Sequence, residues 1–143
     1  MKNELQEKLY KDFPLIFKQK DLNIKQSCMA WGIECGPGWE PLIRCLCEHL
    51  MWDPKAGKKR ENPPVAAQVK EKFGTLRFYV DGGDDKDQDI IWFAEHLSGS
   101  ICETCGSMGQ DVHQTQGWVR TICNSCDDKR ENDWVKELNE NDF

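Results

Sequence analysis

Two closely spaced pairs of cysteines constrain this sequence more than any other feature. Cys102 and Cys105 form one C-x2-C pair, Cys123 and Cys126 form another, and 17 residues separate the two pairs. This spacing is typical of a segment that folds around one tetrahedral zinc ion. Four thiolates fill the tetrahedral shell and leave no position for a reactive water molecule. The pattern therefore predicts a structural zinc site made by these four cysteines.

The same cysteines allow two other interpretations. The pairs could be disulfides or redox-active thiols, although no thioredoxin-like pattern surrounds either pair. His113 lies between the pairs and is an alternative zinc ligand, but four cysteines already complete the shell. We therefore expect His113 to be exposed to solvent or to form a capping hydrogen bond.

The remaining four cysteines match no spacing that is typical of a metal site. They are Cys28, Cys35, Cys45 and Cys47. Free cysteines behave as small hydrophobic side chains, so we expect these four to pack in the core. A second metal site that includes His49 is one alternative, and a catalytic cysteine is another.

The length and composition bound the class of protein. A chain of 143 residues fits one domain, or one core with a small appendage. No apolar run approaches the roughly 20 residues that a membrane span requires, and no signal peptide is recognisable at the N-terminus. We therefore expect a cytoplasmic protein with reduced cysteines and no membrane partner. The net charge of -6 disfavours a protein that binds DNA non-specifically through a basic surface.

Apolar residues at helical spacing predict three helices, at residues 5–13, 39–50 and 90–97. The apolar side of the third would contain Ile90, Phe93, Ala94 and Leu97. A short C-terminal helix is predicted from residue 128, where the sequence resembles a capping box. Its apolar side would be formed by Trp134, Val135 and Leu138.

Residues 65–80 alternate apolar and polar side chains and predict a β-hairpin. Gly74 and Thr75 would form its two-residue turn, because a type II′ turn prefers glycine at the first position. The aspartates between residues 81 and 89 lack the glycine and the distal glutamate of a calcium-binding loop. They predict a solvated acidic turn after the hairpin.

One face of the predicted hairpin is basic. The expected register places Lys72 opposite Arg77 and Lys70 opposite Tyr79 on this surface, which we call the basic hairpin face. Like charges directly opposite each other destabilise a sheet, so their presence favours a bound anion. Cations beside an aromatic ring suit a nucleotide, a phosphate group or an acidic protein surface. A solvated strand face, whose lysines protect a sheet edge, is the alternative.

Four sequence segments carry a resemblance to a known family: CMAWGIECGPGW, KEKFGTLRFYV, ICETCG and GWVRTICNSC. They resemble, in the same order, segments of small uncharacterised zinc-ribbon-containing proteins that bacteria, prophages and phages encode. The resemblance covers most of residues 28–126. It implies an accessory role, with counter-defence as one form of it, and a location in the host cytoplasm for a phage-encoded protein. It implies no enzymatic activity that could be transferred to this chain.

The cysteine segment also resembles, faintly, the C-x2-C shell of HNH nucleases. That family requires further histidines around a metal-bound phosphate, whereas only His113 lies between the cysteine pairs here and no histidine follows Cys126. The resemblance therefore implies at most a degenerate nuclease, without the general base and the catalytic metal ligand.

The sequence thus predicts an α+β fold in which a small core of helices and a hairpin is followed by a zinc ribbon or zinc knuckle and a C-terminal helix. Residues 1–100 would form the core and residues 101–143 the zinc-binding segment. We expect a non-enzymatic, zinc-stabilised binding module whose partner is a nucleotide-like or phosphate-bearing ligand, or a host protein. A nucleic-acid-binding protein or a degenerate HNH-like nuclease is the alternative.

Overall fold

The computed structural model describes residues 1–141. Its α-helices are α1 (Asn3–Asp12), α2 (Glu40–Met51), α3 (Asp85–Ser98) and α4 (Asn124–Asn141). Its strands are β1 (Ile33–Glu34), β2 (Trp52–Asp53), β3 (Lys58–Lys59), β4 (Val65–Lys72), β5 (Thr75–Asp81), β6 (His113–Gln114) and β7 (Thr121–Ile122). Short 3-10 helices occupy Lys18–Asp21, Cys28–Trp31 and Pro37–Trp39. The predicted α+β class is confirmed.

The main sheet has the order β1-β4-β5. β1 is parallel to β4, and β4 is antiparallel to β5. Two small ribbons, β2-β3 and β6-β7, lie outside this sheet. Residues 101–141, which we call the cysteine module, contain β6, β7 and α4. No helix in the described part of the chain has both the length and the apolar composition of a membrane span.

The α2 helix forms as its apolar spacing predicts. Pro41 lies in its first turn, where the missing N–H group leaves no hydrogen bond unmade. Ile43, Leu46 and Leu50 are buried and face the core on one side of the helix. Burying each of these side chains contributes about 1.5–3 kcal/mol. The predicted first helix is also confirmed, and α1 ends just before Pro14.

The α3 helix begins earlier than its apolar residues suggest. Asp84 and Asp87 form a reciprocal capping box, in which each carboxylate accepts a hydrogen bond from the backbone N–H of the other. Asp87 is buried and also accepts a hydrogen bond from Arg60 at 2.7 Å. The prediction of a solvated turn up to residue 89 is therefore wrong, because these aspartates start a helix.

The buried side of α3 also differs from the prediction. Ala94 is buried as predicted, and Ile90 and Leu97 pack partly buried against the core. Phe93, however, is 62% exposed, and Ile91 and Ser98 are buried instead. The outer edge of β5 sets the orientation of this helix, because the unpaired backbone N–H groups of the strand need hydrogen-bond acceptors as well as apolar contacts. Ser98 Oγ accepts from the N–H of Leu76 at 2.8 Å, and Glu95 Oε2 accepts from the N–H of Phe78 at 2.8 Å.

The hairpin turn consists of Phe73 and Gly74 rather than the predicted Gly74 and Thr75. Both residues have positive φ, +55° for Phe73 and +84° for Gly74, as a type I′ turn requires. Lys72 therefore pairs with Thr75, Lys70 pairs with Arg77, and Gln68 pairs with Tyr79. The turn is held in this register because Gly74 O accepts a hydrogen bond from Thr121 Oγ1 in the cysteine module.

Two of the four cysteines outside the pairs pack in the core as predicted. Cys35 and Cys47 are buried, and burial raises the pKa of the Cys35 thiol to about 12. The prediction is wrong for Cys28 and Cys45, which are exposed. Cys28 is the first residue of a short 3-10 helix, in which the buried side chain is that of the next residue, Met29. Cys45 lies on the outer side of α2.

Candidate metal centre

The four paired cysteines meet at one point. The Sγ atoms of Cys102, Cys105, Cys123 and Cys126 all lie within 4.8 Å of one another. Cys105 Sγ and Cys123 Sγ are 3.8 Å apart. Zinc–sulfur bonds of about 2.3 Å place the corners of a tetrahedron about 3.8 Å apart. The four sulfur atoms are therefore spaced to hold one metal ion.

The first pair lies on a tight backbone turn. The N–H of Gly106 donates to Cys102 O at 2.8 Å, and the N–H of Cys102 donates to Ser107 O at 2.8 Å. Gly106 has a φ of +82°, which glycine adopts without steric cost. Burial opposes ionisation of Cys102, but surrounding backbone N–H groups outweigh it and lower the pKa of this thiol to about 7. The turn thus prepares a thiolate, the form that binds metal.

The second pair spans the start of α4: Cys123 directly precedes the helix and Cys126 lies in its first turn. The helix begins at Asn124, whose N–H donates to Asp111 Oδ2, so the predicted start and capping box at residue 128 are wrong. Cys126 is therefore carried by the helix N-terminus, where the exposed N–H groups favour negative charge. Burial and the neighbouring sulfur atoms nevertheless raise the pKa of the Cys126 thiol. Four thiolates this close need a bound cation, since their charges repel.

A small second core supports the cluster. β6 and β7 pair as an antiparallel ribbon, with His113 opposite Ile122. Ile122 is buried with Cys102 and Cys123, and Val112 packs against them. From residue 128 to residue 140 the side chains of α4 are all exposed, including its predicted apolar side around Trp134. This segment is thus brought together around the four clustered sulfur atoms rather than around a large apolar core.

His113 lies outside the sulfur cluster. Its Nε2 atom is 3.1 Å from Asp127 Oδ2, and its Nδ1 atom is 2.8 Å from Asp111 O. The hydrogen bond to Asp111 O, followed by that to Asp127, raises the pKa of His113. Both ring nitrogens thus lie within hydrogen-bonding distance of an oxygen atom, and His113 links β6 to α4.

Replacing His113 with alanine is expected to leave the metal content at one ion per chain, because its ring nitrogens bond Asp111 and Asp127 rather than the cluster. Metal analysis of the purified variant, compared with the wild-type protein, tests this. Loss of metal from the His113→Ala protein alone would make His113 a ligand.

The cysteine module packs against the core through residues 36–39, a contact that the sequence patterns did not predict. The N–H of Gly38 donates to Glu103 O at 2.7 Å, and Trp39 Nε1 donates to Ile101 O at 2.9 Å. A Cβ atom on Gly38 would lie only 2.1 Å from Cys102 O. The pair of glycines around a proline, directly before a tryptophan, is the sequence signal that could have revealed this close contact. Whether residue 100 separates two domains stays a prediction.

Comparison of the chain with protein-family models, curated proteins and solved structures found no match. The interpretation of the site therefore depends on its own geometry and donor atoms. Four cysteine sulfur donors within 4.8 Å of one another are typical of a zinc or an iron–sulfur centre.

The residues of the basic hairpin face do lie on one face of the sheet. Lys70 and Arg77 are cross-strand neighbours, Lys72 lies two residues nearer the turn, and Tyr79 lies two residues farther from it. On the opposite face Val69 and Phe78 are buried in the core. The opposed cations predicted for this face are thus present as Lys70 and Arg77 rather than Lys72 and Arg77. Ligand binding by this face stays a prediction.

Proposed function

We propose that this chain is a non-enzymatic binding module, that one structural zinc ion holds its cysteine module, and that the basic hairpin face binds an anionic ligand. The observation that carries the proposal is the convergence of four cysteine sulfur atoms, all within 4.8 Å of one another. Because all four coordination positions would be thiolates, the zinc ion would bind no water and would serve architecture rather than hydrolysis.

The zinc site supports the hairpin through direct contacts. Thr121, next to the buried Ile122 of the second core, donates its hydroxyl hydrogen to Gly74 O at the hairpin turn. The N–H of Glu103, next to Cys102, in turn donates to Thr121 O at 3.0 Å. A zinc ion that fixes this segment would therefore also fix the turn between β4 and β5.

The positive charges of the basic hairpin face favour the binding of an anion. Lys70 and Arg77 are half-buried, so part of the hydration of each cation is already lost. Arg77 donates to Thr75 Oγ1 and Leu76 O, which orients its guanidinium group. Glu34 is the cross-strand neighbour of Lys70, and Glu95 interacts electrostatically with Arg77, so these two carboxylates offset part of the charge of the three cations Lys70, Lys72 and Arg77. A phosphate or carboxylate group would relieve the remaining repulsion.

Binding is tested by thermal shift with inorganic phosphate, mononucleotides, cyclic dinucleotides and NAD derivatives. At 100 times its dissociation constant a ligand stabilises the folded protein by about 2.7 kcal/mol. The shift should disappear in the Lys70→Glu, Arg77→Glu double variant. The matched control is Lys8→Glu with Lys11→Glu, which makes a comparable change in net charge on exposed positions of α1.

If none of these ligands shifts the melting temperature, and the double variant retains the biological effect of the wild-type protein, the hairpin face is not the ligand site. An accessory role for phages or prophages, including counter-defence, depends on the family resemblance alone. It is tested by comparing the wild-type gene and the double variant in bacteria challenged with phage.

A further inference from the structure

The hairpin turn displays an aromatic side chain in a strained position. Phe73 has a φ of +55°, a conformation that is rare for a bulky residue and that favours asparagine or glycine in a type I′ turn. Its side chain is 71% exposed, so burial in the core does not explain the choice of residue. Strain that folding does not require is typical of positions kept for recognition.

A second aromatic side chain is displayed on a well-braced loop. Trp118 is 79% exposed. Its carbonyl oxygen accepts a hydrogen bond from Thr115 Oγ1 at 2.8 Å, and the same hydroxyl oxygen accepts from the N–H of Arg120 at 2.9 Å. The loop that carries the exposed ring is therefore ordered by its own hydrogen bonds.

The two loops touch each other. A Cβ atom on Gly74 would lie 3.0 Å from Val119 Cγ1, and Gly74 O accepts the hydrogen bond from Thr121 Oγ1. Phe73 and Trp118 directly precede Gly74 and Val119 in the sequence. The two exposed rings are thus presented at neighbouring points, one from the hairpin and one from the cysteine module.

Lysine and arginine side chains lie between the exposed rings at the turn and the rest of the basic hairpin face. Lys72 Nζ lies 5.6 Å from the centre of the Phe73 ring. Lys70 and Arg77 follow along the strands, and Tyr79 comes next at 45% exposed. From Tyr79 to the turn is about 17 Å at about 3.4 Å per residue. Cations therefore lie between aromatic rings along this surface, which is longer than one nucleotide. We call it the track, and its residues are Trp118, Phe73, Lys72, Lys70, Arg77 and Tyr79.

We propose that this track binds single-stranded nucleic acid, with bases stacked on Phe73 and Trp118 and phosphates held by Lys70, Lys72 and Arg77. The inference rests on the proposed function, because it names the class of anionic ligand for the same face. Exposed rings stack on unpaired bases, whereas paired bases in a duplex offer them no free face. The net charge of -6 opposes contact with any long polyanion, so the track is expected to hold a short stretch of strand over its own cations.

The test is fluorescence anisotropy of the zinc-loaded protein with labelled oligo-dT and oligo-U, and with a duplex of matched length. Trp118→Ala and Phe73→Asn should each weaken single-strand binding by about 5- to 100-fold, the range of one lost base–aromatic stack. Trp92→Ala is the matched control, because Trp92 is 60% exposed but lies on α3. It should bind as the wild-type protein does. Lys72→Gln should lower the salt dependence by about one phosphate contact.

Phe73→Asn has a second readout, because asparagine tolerates positive φ. Its melting temperature should equal or exceed that of the wild-type protein while binding falls. A lower melting temperature together with unchanged binding would mean that Phe73 is kept for stability, and this outcome overturns the inference. Equal affinity for duplex and single strands also overturns it, as does unchanged binding in Trp118→Ala.

Failure of this inference can be told apart from failure of the proposed function. If mononucleotides stabilise the protein through Lys70 and Arg77 but oligonucleotides do not bind, the single-strand inference is wrong and the anionic-ligand proposal stands. If neither binds, both are wrong. If a protein partner is captured through Phe73 and Trp118 and oligonucleotides fail to bind, the single-strand inference is likewise wrong.

Discussion

Replacing Cys123 with serine is expected to release the metal ion and unfold the cysteine module. Cys123 is buried, lies in the second core, and approaches the Cys105 sulfur to 3.8 Å. Zinc binding contributes about 10–16 kcal/mol to the folding of small zinc domains, far more than this short polar segment gains from its apolar contacts. Metal analysis should fall from one ion per chain to none, and circular dichroism should show loss of the helical signal of α4.

Cys45→Ser provides the matched control for this experiment. Cys45 is another free cysteine, but it is exposed and lies outside the sulfur cluster. The control should keep its metal and its melting curve. A Cys123→Ser protein that remains fully folded without metal would contradict the view that the ion organises residues 101–141.

Replacing Gly38 with alanine is expected to have the second largest effect. The added Cβ atom would lie 2.1 Å from Cys102 O and 2.6 Å from Glu103 O, and both of these are backbone atoms that cannot rotate away. The hydrogen bond from the Gly38 N–H to Glu103 O, now 2.7 Å, must lengthen or break. We expect a loss of about 3 kcal/mol in the free energy of unfolding, at the upper end of the cost of overpacking. Urea denaturation measures it.

Gly99→Ala is the control for this second substitution. Gly99 has a φ of -66°, and a Cβ atom there would lie 3.4 Å from His96 O, an ordinary van der Waals contact. Alanine should fit and should stabilise the protein by about 0.4–1 kcal/mol, because it restricts the unfolded chain. Equal stability of the Gly38→Ala and wild-type proteins would show that the cysteine module is not packed tightly against the Gly36–Trp39 segment.

The features that could be predicted from the sequence are those that local spacing determines. The cysteine pairs bring their own ligands together because two residues between cysteines give a tight turn whatever surrounds it. The α2 helix follows from apolar residues at i, i+3, i+4 and i+7. The sheet face that carries Lys70 and Arg77 follows from the alternation of side chains along a strand, which is the same in either register.

The features that could not be predicted depend on contacts between distant segments. The hairpin turn at Phe73 and Gly74 is set by the approach of Thr121, which lies 47 residues beyond Gly74. The orientation of α3 is set by the unpaired N–H groups of β5, which the apolar pattern of the helix does not record. The start of α4 was missed because the acceptor for its first N–H group, Asp111, lies 13 residues before the helix.

The hydrogen bonds from β5 to Glu95 and Ser98 have a consequence for how copies of this protein meet. An unpaired outer strand normally invites another chain to extend the sheet, which leads to fibrils or to capture of extended peptides. Here two outward amides of that strand, at Leu76 and Phe78, are already saturated from within the same molecule. A partner on this side must therefore be recognised through side chains. At high concentration the protein is also protected against the addition of a further strand along this edge.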